Sequence, residues 1–259
     1  MSAIALPLDD APLGFPQPRP LVAASGLVRR FGEGSSAVDA LRGVTLDIEA
    51  GRMTAIMGPS GSGKSTLMHL LAGLDAPTEG SIVLDGVEIT GLSEKKLTQL
   101  RRDTIGFVFQ FFNLLPMLTA EENVTLPLSI AGRKVDAEWL ETLLDEVGLD
   151  DRRDHRPSEL SGGQQQRVAV ARALVTKPKV IFADEPTGNL DSTSSKDVLS
   201  LMRRAVDEWG QTIVMVTHDA GAAAMADRIL FIADGRIVRD LEGSTAAEVL
   251  AAMQEVSSR

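Results

Sequence analysis

The run Gly58-Pro59-Ser60-Gly61-Ser62-Gly63-Lys64-Ser65 leaves a chain few ways to fold. It matches G-x-x-x-x-G-K-[ST] at every fixed position, directly after the apolar, strand-like stretch 53–57 and before apolar residues at helical spacing. That strand, turn and helix context separates a phosphate cradle from a Gly/Ser linker. Glycines are needed because backbone N–H groups must wrap phosphate oxygens at distances where a Cβ would clash. Lys64 supplies a cation to the β and γ phosphates, and the Ser65 hydroxyl suits Mg²⁺. The helix expected over 65–72 points its N-terminal N–H groups and positive dipole end at the same anion. Thr66 either reinforces this cradle or caps the helix, and His69, one turn on, reads as an ordinary helix residue.

A second apolar run, 180–183, delivers Asp184 and Glu185 side by side at a strand's carboxyl end, where ligands sit in open α/β sheets. Asp184 is placed to hold Mg²⁺ through its waters, and Glu185 to orient and deprotonate an attacking water. His218, after the strand expected over 213–216, reaches the same edge and can hydrogen-bond a γ-phosphate or that water. Leu160-Ser161-Gly162-Gly163-Gln164 opens another helix with a glycine pair and reads as a second anion site. One subunit already encloses its nucleotide from the other side, so the economical occupant is a partner's nucleotide.

Around these motifs the chain alternates strands and helices, which implies a mainly parallel sheet covered by helices. Asp85-Gly86 and Asp234-Gly235 read as tight hairpins, the first within an antiparallel β portion near the start. Thr119 with Glu122, and Asp136 before Leu140, Leu143, Leu144 and Val147, cap two helices of a helical middle. Val198, Leu201, Met202, Ala205 and Trp209 mark a further helix, and a last one is expected near Ala246. The first twenty residues, with Pro7, Pro12, Pro16, Pro18 and Pro20, lack the basic start and apolar run of a secretory signal and are expected to be a disordered tail. No window reaches the roughly 18 uninterrupted apolar residues of a spanning helix.

With 26 Lys plus Arg against 36 Asp plus Glu, the net charge of −10 repels phosphate backbones, so nucleic acid is not expected as a partner. The absence of Cys excludes disulfides and thiolate metal sites and fits a reducing compartment.

Taken in order, the motifs from Leu21 to Leu241 resemble the ATP-binding subunits of ABC transporters. That resemblance implies an α/β fold, a P-loop NTPase (RecA-like) core with a parallel sheet, an antiparallel β subdomain and an inserted α-helical subdomain over about 93–175. It implies ATP and Mg²⁺ as cofactors, with Gln110 linking Mg²⁺ to a membrane partner. It further implies that Asp191, in Gly188-Asn189-Leu190-Asp191, crosses the dimer, that His218 is the switch histidine, and that Phe31 stacks on adenine, where many relatives carry Tyr. On residue type alone, Phe31 is equally a core residue, and Arg29 or Arg30 could cover the base instead. The implied partners are a second copy, forming a homodimer, and a separately encoded integral membrane permease at whose cytoplasmic face the chain sits peripherally. Pro186 to Asp191, Phe112-Asn113-Leu114-Leu115-Pro116 and Glu121-Glu122-Asn123-Val124 look like the lipoprotein-release, macrolide-export and cell-division branch. The apolar cluster Phe111, Phe112, Leu114, Leu115, Met117 and Leu118 after Gln110 is either a permease groove or ordinary core. A non-transport relative acting with a soluble partner is the alternative, disfavoured by the lack of a coiled-coil insert between Lys64 and Ser161.

Overall fold

A computed structural model describes residues 19–34 and 37–257; of the tail expected over 1–20, all but Arg19 and Pro20 lies outside the described residues. The chain opens with β1 (Val22–Phe31), β2 (Val38–Ile48) and β3 (Met53–Met57), then α1 (Lys64–Leu71), β4 (Glu79–Leu84) and β5 (Val87–Glu88). The middle holds α2 (Glu94–Thr104), β6 (Ile105–Phe109), α3 (Ala120–Ile130), α4 (Ala137–Glu146) and α5 (Gly162–Leu174). There follow β7 (Val180–Asp184), α6 (Ser192–Trp209), β8 (Thr212–Val216), α7 (Ala220–Ala223), β9 (Arg228–Ala233), β10 (Arg236–Glu242) and α8 (Ala246–Ser257).

Among the described residues, six strands form the central sheet in the order β10-β9-β3-β8-β7-β6, parallel except for β10. Its strands read as continuous apolar runs because both faces are covered. Ala55, Ile181, Met215 and Phe231 point into one cluster with α5, α6 and α8, while Ile56, Phe182, Val214 and Leu230 point into another with α1. The alternation follows from the two-residue period of a strand. Beyond α1 lies the antiparallel sheet β2-β1-β4-β5, so α1 is held between two sheets. Leu67, Met68, Leu70 and Leu71 are buried there. A helix pinned on both sides holds its N-terminus, and the loop before it, in a fixed place.

Both expected hairpins form. Asp85 and Gly86 have φ of 48° and 78°, and Asp234 and Gly235 have 49° and 73°, the left-handed pair that a two-residue turn requires. Thr119 and Glu122 close a capping box on α3, and the Asp136 carboxylate accepts from the Trp139 amide at the head of α4. Within the stretch read as helical over 93–175, Ile105–Phe109 departs from the expectation. It is a strand of the core sheet, paired in parallel with β7 from Ile105↔Val180 to Phe109↔Asp184. Among the described residues no helix is long and apolar enough to cross a membrane.

Candidate functional site

The loops after β3, β6, β7 and β8 meet at the carboxyl edge of the sheet. After β3 the chain turns at Gly58 with φ of 153°, where a Cβ would stand 2.0 Å from the Ile232 carbonyl oxygen. At Gly63, φ is 105° and a Cβ would lie 2.5 Å from the Ala40 carbonyl oxygen. Neither position tolerates another residue, so the loop's shape is fixed by its glycines. Lys64 Nζ donates to the Gly58 and Pro59 carbonyls, each at 2.9 Å, and arches over the loop. Ala40, Ser60, Gly61, Gly63, Lys64, Ser65, Thr66 and Glu185 line the resulting cleft of about 270 Å³. Beneath it the buried Ser62 hydroxyl has no partner among the described residues. A cradle that excludes Cβ atoms, opens on a helix N-terminus and holds one lysine fits a polyphosphate.

Asp184 ends β7 beside this cleft. Burial raises its pKa above the usual carboxylate range, partly offset by the His69 and Lys64 charges and a Ser65 hydrogen bond, while Glu185 pushes the same way as burial. His69, read from sequence as an ordinary helix residue, is thereby part of the site's electrostatics; no spacing rule singles out a histidine one turn into a helix. Lys64 is held below its usual range by burial, against the pull of Glu185 and Asp184. Ser65 and Asp184 are a hard oxygen pair that fits Mg²⁺, which takes few protein ligands and keeps its waters.

Glu185 has φ of 48°, a left-handed conformation uncommon outside glycine, which turns its side chain back over the sheet edge. Both carboxylate oxygens accept from His218 Nδ1, at 3.0 and 2.9 Å. Because both partners are carboxylate oxygens, Nδ1 carries the proton. The Glu185 side chain is 20% exposed and that of His218 69%, so the histidine reaches outward while the carboxylate stays sheltered. Gln110, directly after β6, donates from Nε2 to Asn189 Oδ1 at 3.1 Å, and Asn189 Nδ2 returns a bond to the Gln110 carbonyl at 3.1 Å.

Ser161, Gly162, Gly163 and Gln164 do not line this cleft. Ser161 caps α5, its hydroxyl accepting from the Gln164 amide at 3.3 Å while the Gln164 side chain accepts from the Ser161 amide at 2.8 Å. The Gln164 carbonyl oxygen is thus engaged within the cap. Gly163 is buried, and a Cβ there would lie 2.6 Å from Ser194 Oγ, so α5 and α6 meet at contact distance. Ser161 and Gly162 remain exposed. Asp191 caps α6, accepting from the Thr193 and Ser194 amides at 2.9 and 3.0 Å and from the Ser194 hydroxyl at 2.7 Å. These bonds, the Ser194 amide foremost, hold its carboxyl below the usual range. Phe31 is 44% exposed at the end of β1, which removes the core reading. The Arg29 guanidinium stacks 4.4 Å from its ring centroid and pairs with Asp75 at 2.8 Å.

Comparison with known proteins gives the family of the chain. A family model described as ABC transporter matches residues 41–188. The lipoprotein-releasing system ATP-binding protein LolD of Syntrophotalea carbinolica is 49% identical over 219 residues, covering 84% of this chain and 96% of LolD. The macrolide export ATP-binding/permease protein MacB of Bdellovibrio bacteriovorus is 48% identical over 220 residues, covering 85% of this chain but 34% of MacB, so the chain spans about a third of that relative. Among solved structures, a dimeric post-hydrolysis state of the ATP-binding cassette MJ0796 bound to ADP and Pi has a TM-score of 0.78 at 41% identity, covering 86% of this chain and 99% of that one.

Proposed function

This chain belongs to the ABC transporter family as an ATP-binding cassette, and from that premise we propose that two copies close around two ATP-Mg and drive a separately encoded membrane permease. One observation carries the dimer: the cleft built by Lys64, Ser65, Thr66 and Glu185 includes none of Ser161–Gln164. A helix N-terminus with an exposed hydroxyl and an exposed glycine then stands outside its own chain's cleft. A second copy, related by a two-fold axis, brings that terminus to the first copy's cleft and gains the same contact in return. Solved as a dimer, the MJ0796 cassette lends support.

In this reading the backbone of 58–63 wraps the phosphates and Lys64 leaves its two loop carbonyls for the β and γ oxygens. Ser65, Asp184 and Gln110 would hold Mg²⁺, which supplies charge neutralisation on the phosphates when bound. Glu185 orients the attacking water and takes its proton, and His218 steadies the γ end from the neighbouring strand. Ser161, with the Gly162 and Gly163 backbone, completes the partner's site, and Asp191 holds the turn that crosses between copies. Phe31, with Arg29 behind it, offers an exposed ring to the adenine.

A groove of about 460 Å³ lies beside the Gln110 loop, lined by Phe107, Phe109, Leu126, Pro127 and Ile130 among others. Nearby, Phe111 is 74% and Met117 65% exposed. Apolar surface left in contact with water marks an interface, and this one suits a helix of the permease, which would place the chain at the cytoplasmic face of a membrane. Export or lipoprotein release, as the names of MacB and LolD describe for those proteins, is the activity the branch resemblance favours.

The Glu185→Gln variant tests the core of this. It keeps the hydrogen-bonding shape and loses the base, so it should bind ATP, dimerise persistently by size-exclusion chromatography and turn over about 100-fold or more slowly. Turnover near the parent rate would remove Glu185 from its role. Captured with ATP-Mg from solubilised membranes of its host, the same variant should bring down an integral protein at stoichiometric yield; a soluble partner would point to the non-transport class.

A further inference from the structure

We propose that Gln166 and Arg172, both on α5, are positioning residues: they hold the Gln110 loop and the Glu185 turn in register with the helix that Ser161 heads. This rests on the ATPase reading above and adds a part to it.

Gln166 is fully buried, about one turn into α5 from the glycine pair that opens it. Its Nε2 donates at once to the Phe109 carbonyl at 3.3 Å and the Pro186 carbonyl at 2.6 Å. Both partners can only accept, so chemistry fixes which end of the amide faces them. Phe109 is the last residue of β6 and pairs with Asp184; Pro186 directly follows Glu185. One side chain therefore spans the roots of the two loops that carry Gln110 and Glu185. Its Oε1 has no partner among the described residues. A buried carbonyl left without a donor is unfavourable, and a methionine of similar length would fill the space without that penalty. An amide retained here is explained by its two donors.

Arg172 grips the far side of the same loop, with Nη1 to the Asn113 carbonyl at 2.6 Å and Nη2 to the Phe112 carbonyl at 2.8 Å. Phe112 and Asn113 both have φ of 52°. Asn tolerates the left-handed region and Phe does not, so the turn is held there by something outside itself. No carboxylate pairs with Arg172 among the described residues, and its two carbonyl contacts are its hydrogen bonds there. Gln110 thus sits between two anchors, at Phe109 and at Phe112–Asn113, both reaching out from α5. Gln110 in turn exchanges amide bonds with Asn189. A shift of α5 when Ser161 meets a partner's nucleotide would carry the metal-side glutamine and the base-bearing turn with it.

The test compares Gln166→Met, Gln166→Asn and Arg172→Met with the parent chain. Steady-state hydrolysis, affinity for a fluorescent ATP analogue, the unfolding midpoint, and ATP-driven dimerisation in the Glu185→Gln background are read for each. Misplacing reacting groups by an ångström lowers rate more than binding, so Gln166→Met should lose about tenfold or more in kcat, with KM and nucleotide affinity within about threefold. Gln166→Asn, one methylene shorter, reaches one carbonyl and should fall between Met and the parent; it carries the test should Met not fold. Arg172→Met should follow Gln166→Met in direction. A kcat within about twofold of the parent would overturn the assignment. So would kcat, affinity and unfolding midpoint falling together, since that marks packing alone. No hydrolysis by the parent chain would instead strike the reading beneath it, at a separate measurement.

Discussion

Asp184 costs the folded chain stability that its neighbours only partly return. Its carboxyl is raised chiefly by burial, with Glu185 adding repulsion, while His69, Lys64 and Ser65 pull it back. A carboxyl with a folded pKa above its unfolded value binds more protons in the native state across the window between the two. Stability therefore falls as pH rises from the ordinary aspartate value of 3.8 through the raised folded value, and stays reduced above it. Asp184→Asn removes this penalty. Scanning calorimetry without nucleotide should find the variant's melting temperature above the parent's at neutral pH, with the gap closing as pH falls through that window. If Asp184 holds Mg²⁺ as proposed, the variant's ATP hydrolysis should nonetheless drop by about 100-fold or more. A variant that melts lower than the parent at pH 7 would mean that the pull of His69, Lys64 and Ser65 outweighs burial. The position of Asp184 and Glu185 was legible in the sequence, because an apolar run that ends in two carboxylates marks a strand's carboxyl end, and β7 ends at Asp184. The His69 contribution was not, because it depends on where α1 lies against β7.

The head of α5 shows two roles meeting in one hydroxyl. Ser161 accepts from the Gln164 amide and so satisfies a helix terminus, while its exposed position suits a partner's phosphate. Two substitutions separate these. Ser161→Ala forfeits the cap, about 1 kcal/mol, or roughly 2–4 °C in melting temperature for a chain of this size. Ser161→Gly forfeits only a few tenths of a kcal/mol. If the hydroxyl serves a partner's nucleotide, both variants lose ATP-driven dimerisation in the Glu185→Gln background to a similar extent. Dimerisation that tracks melting temperature across the pair would leave Ser161 with its cap alone. Elements with a local cause were legible: the Asp85-Gly86 and Asp234-Gly235 hairpins, the Thr119 capping box, and the cap at Asp136. β6 was not. Ile105–Phe109 is short and contains Gly106, a residue that weakens a strand pattern. The reason for that glycine lies outside the segment, since a Cβ would stand 2.6 Å from the Ala173 carbonyl oxygen on α5. The α2 helix before it buries no residue, so no apolar stripe announces it. Gln166 was hidden for the same reason: its two partners come from separate strand ends that only the sheet order brings together.

At the scale of the whole molecule, the central sheet explains why the chemistry sits at one edge. With α1 between the two sheets on one face and α5, α6 and α8 on the other, lateral motion is blocked, and the loops at the carboxyl edge are the part left to change partners. In the proposed dimer, that edge is closed by a second copy of a chain carrying a net charge of −10. Two such chains repel at long range, and ATP adds further negative charge to each cleft. At about 0.01 M salt the screening length is roughly 30 Å, comparable to a domain, and at 0.15 M it is about 8 Å. Contacts between Ser161, the glycine backbone and a partner's phosphates act at hydrogen-bond range and are screened far less than the repulsion between whole subunits. Raising salt should therefore tighten the ATP-bound dimer of Glu185→Gln rather than loosen it, by several-fold between these two conditions. Sedimentation equilibrium at constant ATP and Mg²⁺ across that range measures it. Dimerisation that weakens as salt rises would show that opposite charges facing across the interface, such as arginines against carboxylates, dominate the closure, and that the phosphate contacts at α5 are secondary to them.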